Sequence, residues 1–186
     1  MANPSASTVV LYAHPYPDRS RAGRVLVDAV RDLPHVSVRT LYSLYPDFAI
    51  DVAAEQAALL AAENIVWQCP FLWYGLPPLM HLWIEKVLAD GWAYGREGHA
   101  VEGKRVLWVT TTGGSDEAYR PGAMHGHRFE AFVPPVEQTV RFCGMRWDAP
   151  LVVRGSHRIS KHDLDSHAAA YRARLVSYAA EGSSDE

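Results

Sequence analysis

The chain has 186 residues, with 18 Lys and Arg against 21 Asp and Glu, a formal charge of -3 and 48% hydrophobic residues. That length suits a single domain, 1–186, whose core needs neither disulfide nor metal and leaves room for a cofactor-sized cleft. Basic residues scattered through an acidic chain give no field for nucleic acid, and no run of about 18 apolar residues spans a bilayer. Met1 to Thr8 also lack the parts of a secretion signal, so a cytoplasmic protein is expected, meeting a membrane only through a protein partner.

The first element is an apolar strand, Thr8 to Tyr12, followed by the polar turn Ala13-His14-Pro15-Tyr16-Pro17-Asp18-Arg19-Ser20. A helix is expected from Ser20 to about Arg31, with Ala22, Val25, Leu26, Ala29 and Val30 on one face. Its N-terminus offers unpaired N–H donors and the positive end of the helix dipole, with Ser20, His14, Arg19 and Arg21 around it: a place for a phosphate. The plainer reading is an ordinary strand-to-helix turn with Ser20 as N-cap.

Val36 to Thr40 alternates as a second strand, and Val52 to Glu63 is an Ala-rich helix with Leu59 and Leu60 inward. A third strand, Asn64 to Cys69, runs into Pro70-Phe71-Leu72-Trp73-Tyr74-Gly75. The next helix opens with Pro77-Pro78 and reaches about Leu88. Arg105 to Thr111 is a continuous apolar run, the pattern of a strand buried on both faces, and it ends in Thr112-Gly113-Gly114-Ser115.

After an irregular stretch from Asp116 to Phe129, Val136 to Cys143 is helical and stops at Gly144. Met145 to Val153 is the last strand, and Ser160 caps a final helix that turns Leu164, Ala168, Tyr171 and Leu175 inward. The ends, 1–7 and 182–186, are expected to be flexible. Cys69 and Cys143 lack CxxC spacing and read as core residues. Six Trp and nine Tyr exceed what a plain core needs, so several must line a surface or a pocket.

Five strands alternating with five helices define an α/β chain, a doubly wound five-stranded parallel sheet with helices on both faces. Ligands of such sheets sit beyond the carboxyl ends of the strands, where the loops after the first, third and fourth strands meet. The first offers phosphate donors, the second an aromatic surface, and the third a glycine turn that a planar ligand can approach. Flavin mononucleotide, a phosphate joined to a flat heterocycle, fits this set. Neither GxGxxG nor GxxxxGK[ST] follows the first strand, which argues against a dinucleotide-binding dehydrogenase and a P-loop nucleotidase.

The ordered motifs Tyr12-Ala13-His14-Pro15-Tyr16-Pro17, Leu44-Tyr45-Pro46-Asp47-Phe48, Trp67 to Tyr74, Pro77-Pro78-Leu79, Trp83-Ile84-Glu85-Lys86-Val87, Gly91-Trp92-Ala93-Tyr94-Gly95 and Thr111-Thr112-Gly113-Gly114 together carry a resemblance. From Val9 to Leu175 the chain resembles the flavodoxin-like NAD(P)H quinone oxidoreductases. Within them it is similar to the ancillary flavoprotein subunits of glutathione-regulated potassium-efflux systems.

The resemblance implies that His14, Ser20, Arg21, Ala22 and Gly23 surround the FMN phosphate and ribityl chain. Pro70, Phe71, Leu72 and Trp73 would lie along the isoalloxazine, and Thr111, Thr112, Gly113 and Gly114 would bond its pyrimidine edge. Core packing is the competing reading for Phe71 and Trp73.

Tyr119 and His125 match a Tyr and a His that the larger quinone reductases place beside the flavin. A phenol and an imidazole there would share a proton and stabilise negative charge on the reduced ring, which makes them the candidate catalytic pair. The competing readings are an exposed loop tyrosine and, for His125 with His127, a solvated pair; no metal set is expected.

The resemblance further implies a homodimer, with Trp83, Trp92 and Tyr94 as interface candidates unless they are buried within the subunit. Two functions follow from it. One is an FMN-dependent reductase passing hydride from NAD(P)H to a quinone or similar flat acceptor. The other is a regulatory subunit that binds and activates a potassium/proton antiporter.

Overall fold

The computed structural model describes residues 7–182; the expected flexible residues 1–6 and 183–186 lie outside it. Five parallel strands, β1 (Thr8–Tyr12), β2 (Val36–Thr40), β3 (Asn64–Pro70), β4 (Arg105–Thr111) and β5 (Arg146–Val153), form one sheet in the order β2-β1-β3-β4-β5. The three central strands are buried almost throughout, as continuous apolar runs demand when helices cover both faces. Edge strand β5 is only partly buried. Its register slips by one residue between Leu107 and Val109, where Asp148-Ala149-Pro150 forms a bulge and proline is tolerated at the free edge.

Side-chain alternation along β1 separates the two layers. Val9 and Leu11 point into a cluster completed by α2 (Leu41–Leu44), α3 (Val52–Leu60), α4 (Pro78–Val87) and α5 (Pro134–Phe142). Val10 points into the opposite cluster, built on α1 (Arg21–Asp28) and α6 (Lys161–Gly182). At the start of α6, Ser160 Oγ accepts from the Asp163 amide and donates to the Asp163 carboxylate, the expected cap, and Leu164, Ala168, Tyr171 and Leu175 are buried. Gly144 follows α5 with φ of 71°, the left-handed conformation that glycine reaches without steric penalty.

The structure corrects several expectations. Helix α1 ends at Asp28 rather than Arg31, and α3 ends at Leu60, whose side chain is exposed rather than inward. Glu63 lies beyond α3, where its amide and that of Asn64 bond to the carbonyl of Ser7. Helix α2 escapes a periodicity reading because four residues carry less than two turns. The final helix extends to Gly182. Trp83 is fully inside and donates its indole N–H to Glu55, which removes it as an interface candidate, while Trp92 and Tyr94 are half-buried.

Candidate functional site

Adjacent parallel strands bring the loops after β1, β3, β4 and β5 to one edge, and backbone bonds tie them together. Ala13 N–H donates to the Gln68 carbonyl, Phe71 N–H to that of Thr111, and Thr112 N–H to that of Val153. The loop after β5 joins the set, since the amides of Gly155 and Ser156 donate to the carbonyls of Gly114 and Thr112. That fourth loop carries no sequence signal beyond its position after a strand.

The turn after β1 enters α1 through a short 3-10 turn, Pro17–Arg19. Ser20 stands at the N-cap position but makes no side-chain cap bond, contrary to the capping expectation. Its hydroxyl is folded inward, only 2.5 Å from where a Cβ on residue 23 would stand, with the Tyr12 hydroxyl 3.2 Å from the same point. Glycine at 23 therefore makes this packing possible. Among the described hydrogen bonds none engages the amides of Arg21, Ala22 or Gly23, so the first turn of α1 keeps its donors free.

His14 is half-buried and its Nδ1 accepts the Tyr16 amide at 3.1 Å, which leaves Nε2 as the protonated nitrogen. Burial pushes its pKa below the usual imidazole value, so the ring is a neutral donor. Arg21 reaches back to the Ile159 carbonyl at 2.9 Å. With Asp18, Arg19, Ser20 and Arg24 it borders an open cleft of about 380 Å³.

At the second loop the apolar residues divide. Phe71 is buried, in edge contact with Phe129 at 5.0 Å, so core packing holds for it. Trp73 is 95% exposed, which rules out core packing for that residue. The cause is a two-residue turn in which Leu72 and Gly75 exchange both backbone hydrogen bonds at 3.0 Å, with Trp73 at φ 49° and Tyr74 at φ 65°. Such turns normally carry Asn-Gly; two aromatic residues there are held against their backbone preference.

The third loop is shaped by its glycines. A Cβ at Gly113 would lie 3.3 Å from the His157 ring, and one at Gly114 would lie 2.6 Å from His125 Nε2 and 2.9 Å from a Tyr119 ring carbon. Thr112 Oγ1 donates to the Gly114 carbonyl at 2.7 Å and fixes the turn. Tyr119 and His125 stack with centroids 4.2 Å apart and 20° between planes. Tyr119 is 6% exposed, which excludes the exposed-tyrosine reading, and burial raises its pKa, so the phenol stays protonated.

His125 is not half of a solvated pair either. Its Nε2 is buried without a hydrogen-bond partner, whereas His127 is exposed and lies 6.1 Å from the Phe132 ring. The indole N–H groups of Trp67 and Trp108 are also unpartnered, but they sit on neighbouring strands inside the apolar cluster; His125 stands at the loop edge.

Burial pushes the Cys69 thiol up to about 12 and Cys143 in the same direction, so both act as small core residues. Among the described residues no group of three or more His, Cys, Asp or Glu is placed to hold a metal ion. None of the described helices is long and apolar enough to cross a membrane.

A five-stranded parallel sheet with open helix donors, a glycine turn and an aromatic rim at one edge defines a flavodoxin-type architecture. Residues 6–175 match the profile described as Flavodoxin-like fold, and the chain belongs to that family. It is 43% identical, over 91% of its own length and 95% of the relative, to the glutathione-regulated potassium-efflux system ancillary protein KefF of Klebsiella pneumoniae.

Three solved structures share the fold closely. A general stress protein 14 from Treponema denticola in complex with FMN is 31% identical with a TM-score of 0.86, over 92% of this chain and 98% of that one. A thermophilic tryptophan halogenase from Streptomycin violaceusniger is 35% identical with a TM-score of 0.84, over 88% of this chain and 95% of that one. An NADPH-quinone reductase from P. pentosaceus is 25% identical with a TM-score of 0.81, over 89% and 95%.

Proposed function

We propose that the chain is an FMN-dependent NAD(P)H:quinone oxidoreductase. The names of the similar proteins differ in activity, so the reading rests on the residues. The observation that carries it is the Tyr119–His125 stack over Gly114, with one imidazole nitrogen buried and unpartnered. A buried polar atom left without a partner is uncommon in a native fold and supports a functional role for this ring.

The residues fit the cofactor. The open amides of the first turn of α1 and the neutral imidazole of His14 would hold the phosphate, with Ser20, Arg21, Ala22 and Gly23 forming the cradle. Backbone of Pro70 to Trp73 and of Thr111 to Gly114 would flank the flat ring, which the missing Cβ atoms of Gly113 and Gly114 allow to approach. When bound, FMN supplies reversible two-electron chemistry, so that NAD(P)H, a proton and a quinone give NAD(P)⁺ and a quinol.

Tyr119, kept neutral by burial, and His125 would donate toward the pyrimidine edge of the ring and share the proton that the acceptor requires. The exposed rings of Trp73 and Tyr74 would form the rim of a slot for a flat acceptor, closed by a second copy of the chain in a homodimer.

Purified protein should be yellow with an oxidised-flavin spectrum and should reduce a benzoquinone at the expense of NADH or NADPH; anaerobic titration with each nucleotide identifies the donor. Colourless protein that takes up no FMN sinks the proposal. Combining Tyr119→Phe with His125→Ala should slow flavin reduction about 100-fold with FMN still bound, and an unchanged rate removes the pair from the mechanism.

A second reading, a regulatory subunit of a potassium/proton antiporter, is favoured by one observation: the 43% identity extends over 95% of an ancillary efflux protein. A reduction-defective variant that still raises potassium efflux would show that binding is what matters. Absence of any complex with the antiporter would leave the free enzyme, placed in the cytoplasm.

A further inference from the structure

His125 has two ring nitrogens in different surroundings. Nε2 packs over Gly114, buried and without a partner. Nδ1 lies 3.5 Å from the hydroxyl of Tyr74, a long hydrogen bond of the kind that tightens when a site is occupied. Tyr74 is the second residue of the left-handed turn after β3, far from Tyr119 in sequence.

The Tyr74 ring is held on several sides. It stacks on Phe132 at 5.3 Å with 27° between planes, meets Phe71 edge-on at 6.3 Å, and stands nearly perpendicular to His125, 77° between planes at 5.9 Å. The reciprocal Leu72–Gly75 bonds hold its backbone at φ 65°. A tyrosine in that conformation costs about 1 kcal/mol or more, and such strain persists where the surroundings impose it. Its consequence here is a hydroxyl delivered to one particular nitrogen.

A phenol is the stronger donor and an imidazole nitrogen the stronger acceptor, so the proton of this contact belongs to Tyr74. We propose that Tyr74 is a positioning residue: it donates to Nδ1 of His125 and thereby commits Nε2 to carrying the ring proton. This rests on the reductase reading for its purpose but not for its test. In that reading an N–H, and not a lone pair, must meet the electron-rich edge of a reduced ring, and the tautomer is set by the bond made on the far nitrogen. Tyr119, stacked on the same imidazole, holds the ring plane, while Tyr74 holds the tautomer.

The test is long-range proton–nitrogen NMR of the histidines in FMN-free protein, recorded under alkaline conditions. In the wild-type chain His125 should show a protonated Nε2 and an unprotonated Nδ1. Tyr74→Phe keeps both ring stacks and removes only the hydroxyl. It should raise the Nδ1-protonated population severalfold, whereas Trp73→Phe in the same turn should leave the tautomer as it is.

In FMN-loaded protein Tyr74→Phe should slow flavin reduction severalfold with FMN affinity unchanged. A wild-type His125 protonated on Nδ1 overturns the inference, as does a tautomer that Tyr74→Phe leaves untouched, even if the rate falls. Failure to bind FMN would sink the reductase reading alone, because the tautomer is read without the cofactor.

Discussion

Two buried polar groups in the same half of the molecule are treated in opposite ways. Glu55, fully buried on α3, accepts four hydrogen bonds: from Arg39 Nε at 2.9 Å and Nη2 at 2.5 Å, from the Tyr45 hydroxyl at 2.5 Å and from the Trp83 indole at 2.9 Å. His125, equally enclosed at Nε2, accepts or donates nothing there. A carboxylate whose oxygens are all engaged has nothing left to offer a ligand and serves to lock α2, α3, α4 and β2 together. An unsatisfied nitrogen carries a penalty that a hydrogen-bonding partner would remove.

The sharpest way to break that contrast is Glu55→Ala. It leaves the Arg39 guanidinium, the Tyr45 hydroxyl and the Trp83 N–H without their shared acceptor, and should lower unfolding free energy by about 3 kcal/mol in urea titration. The FMN affinity of the folded fraction should be unchanged; a loss below about 1 kcal/mol would show that the network is ornamental.

Next in size is Gly114→Ala, which places a methyl group 2.6 Å from His125 Nε2 and 2.9 Å from Tyr119. Displacement of both rings should weaken FMN binding about 10-fold, measured by flavin fluorescence, and overpacking against the buried Tyr119 ring should cost about 1–2 kcal/mol of stability. Unaltered affinity would mean that the ligand does not lie over this turn.

The strained turn gives a smaller effect of opposite sign on the two properties. Trp73→Asn with Tyr74→Gly supplies the residues that a left-handed two-residue turn prefers, so stability in urea should rise by about 1 kcal/mol while flavin reduction falls. A gain in both would remove any functional reason for the aromatic pair.

The smallest effect concerns pH. Because burial lowers the His14 pKa, the unfolded chain takes up a proton before the folded one does as pH falls. The contribution is fully present above the ordinary histidine value of about 6.5 and is lost as pH drops through the lower folded value. Stability of the wild-type chain should therefore decline more steeply below about pH 6.5 than that of His14→Gln; equal slopes would mean His14 is as free in the fold as in the unfolded chain.

The legibility of this chain varied with the range of the interactions involved. Strand β4 was plain because Arg105 to Thr111 is a continuous apolar run, and α6 because its inward residues recur at helical spacing after a capping serine. Helix α2 leaves no local signature because four residues have no period, and nothing local shows that α3 stops at Leu60 or that Leu60 turns to solvent. Of the candidate site, the glycine turn and His14 are legible as residue types, whereas Tyr119 and His125 are singled out only by the resemblance. The inward fold of the Ser20 hydroxyl and the splitting of Phe71 from Trp73 are not legible.

Sequence by itself determined the alternation of strands and helices, the parallel sheet and the three unusual loops, because these follow from periodicity and turn chemistry within a few neighbouring residues. Only the tertiary structure decided which polar groups are satisfied and which are left open. Tyr74 meets His125 across 51 residues, and Glu55 gathers partners from 16 residues before it to 28 after it. Satisfaction of a buried hydrogen bond is a property of atoms that meet only after the chain has folded, and no local pattern encodes it.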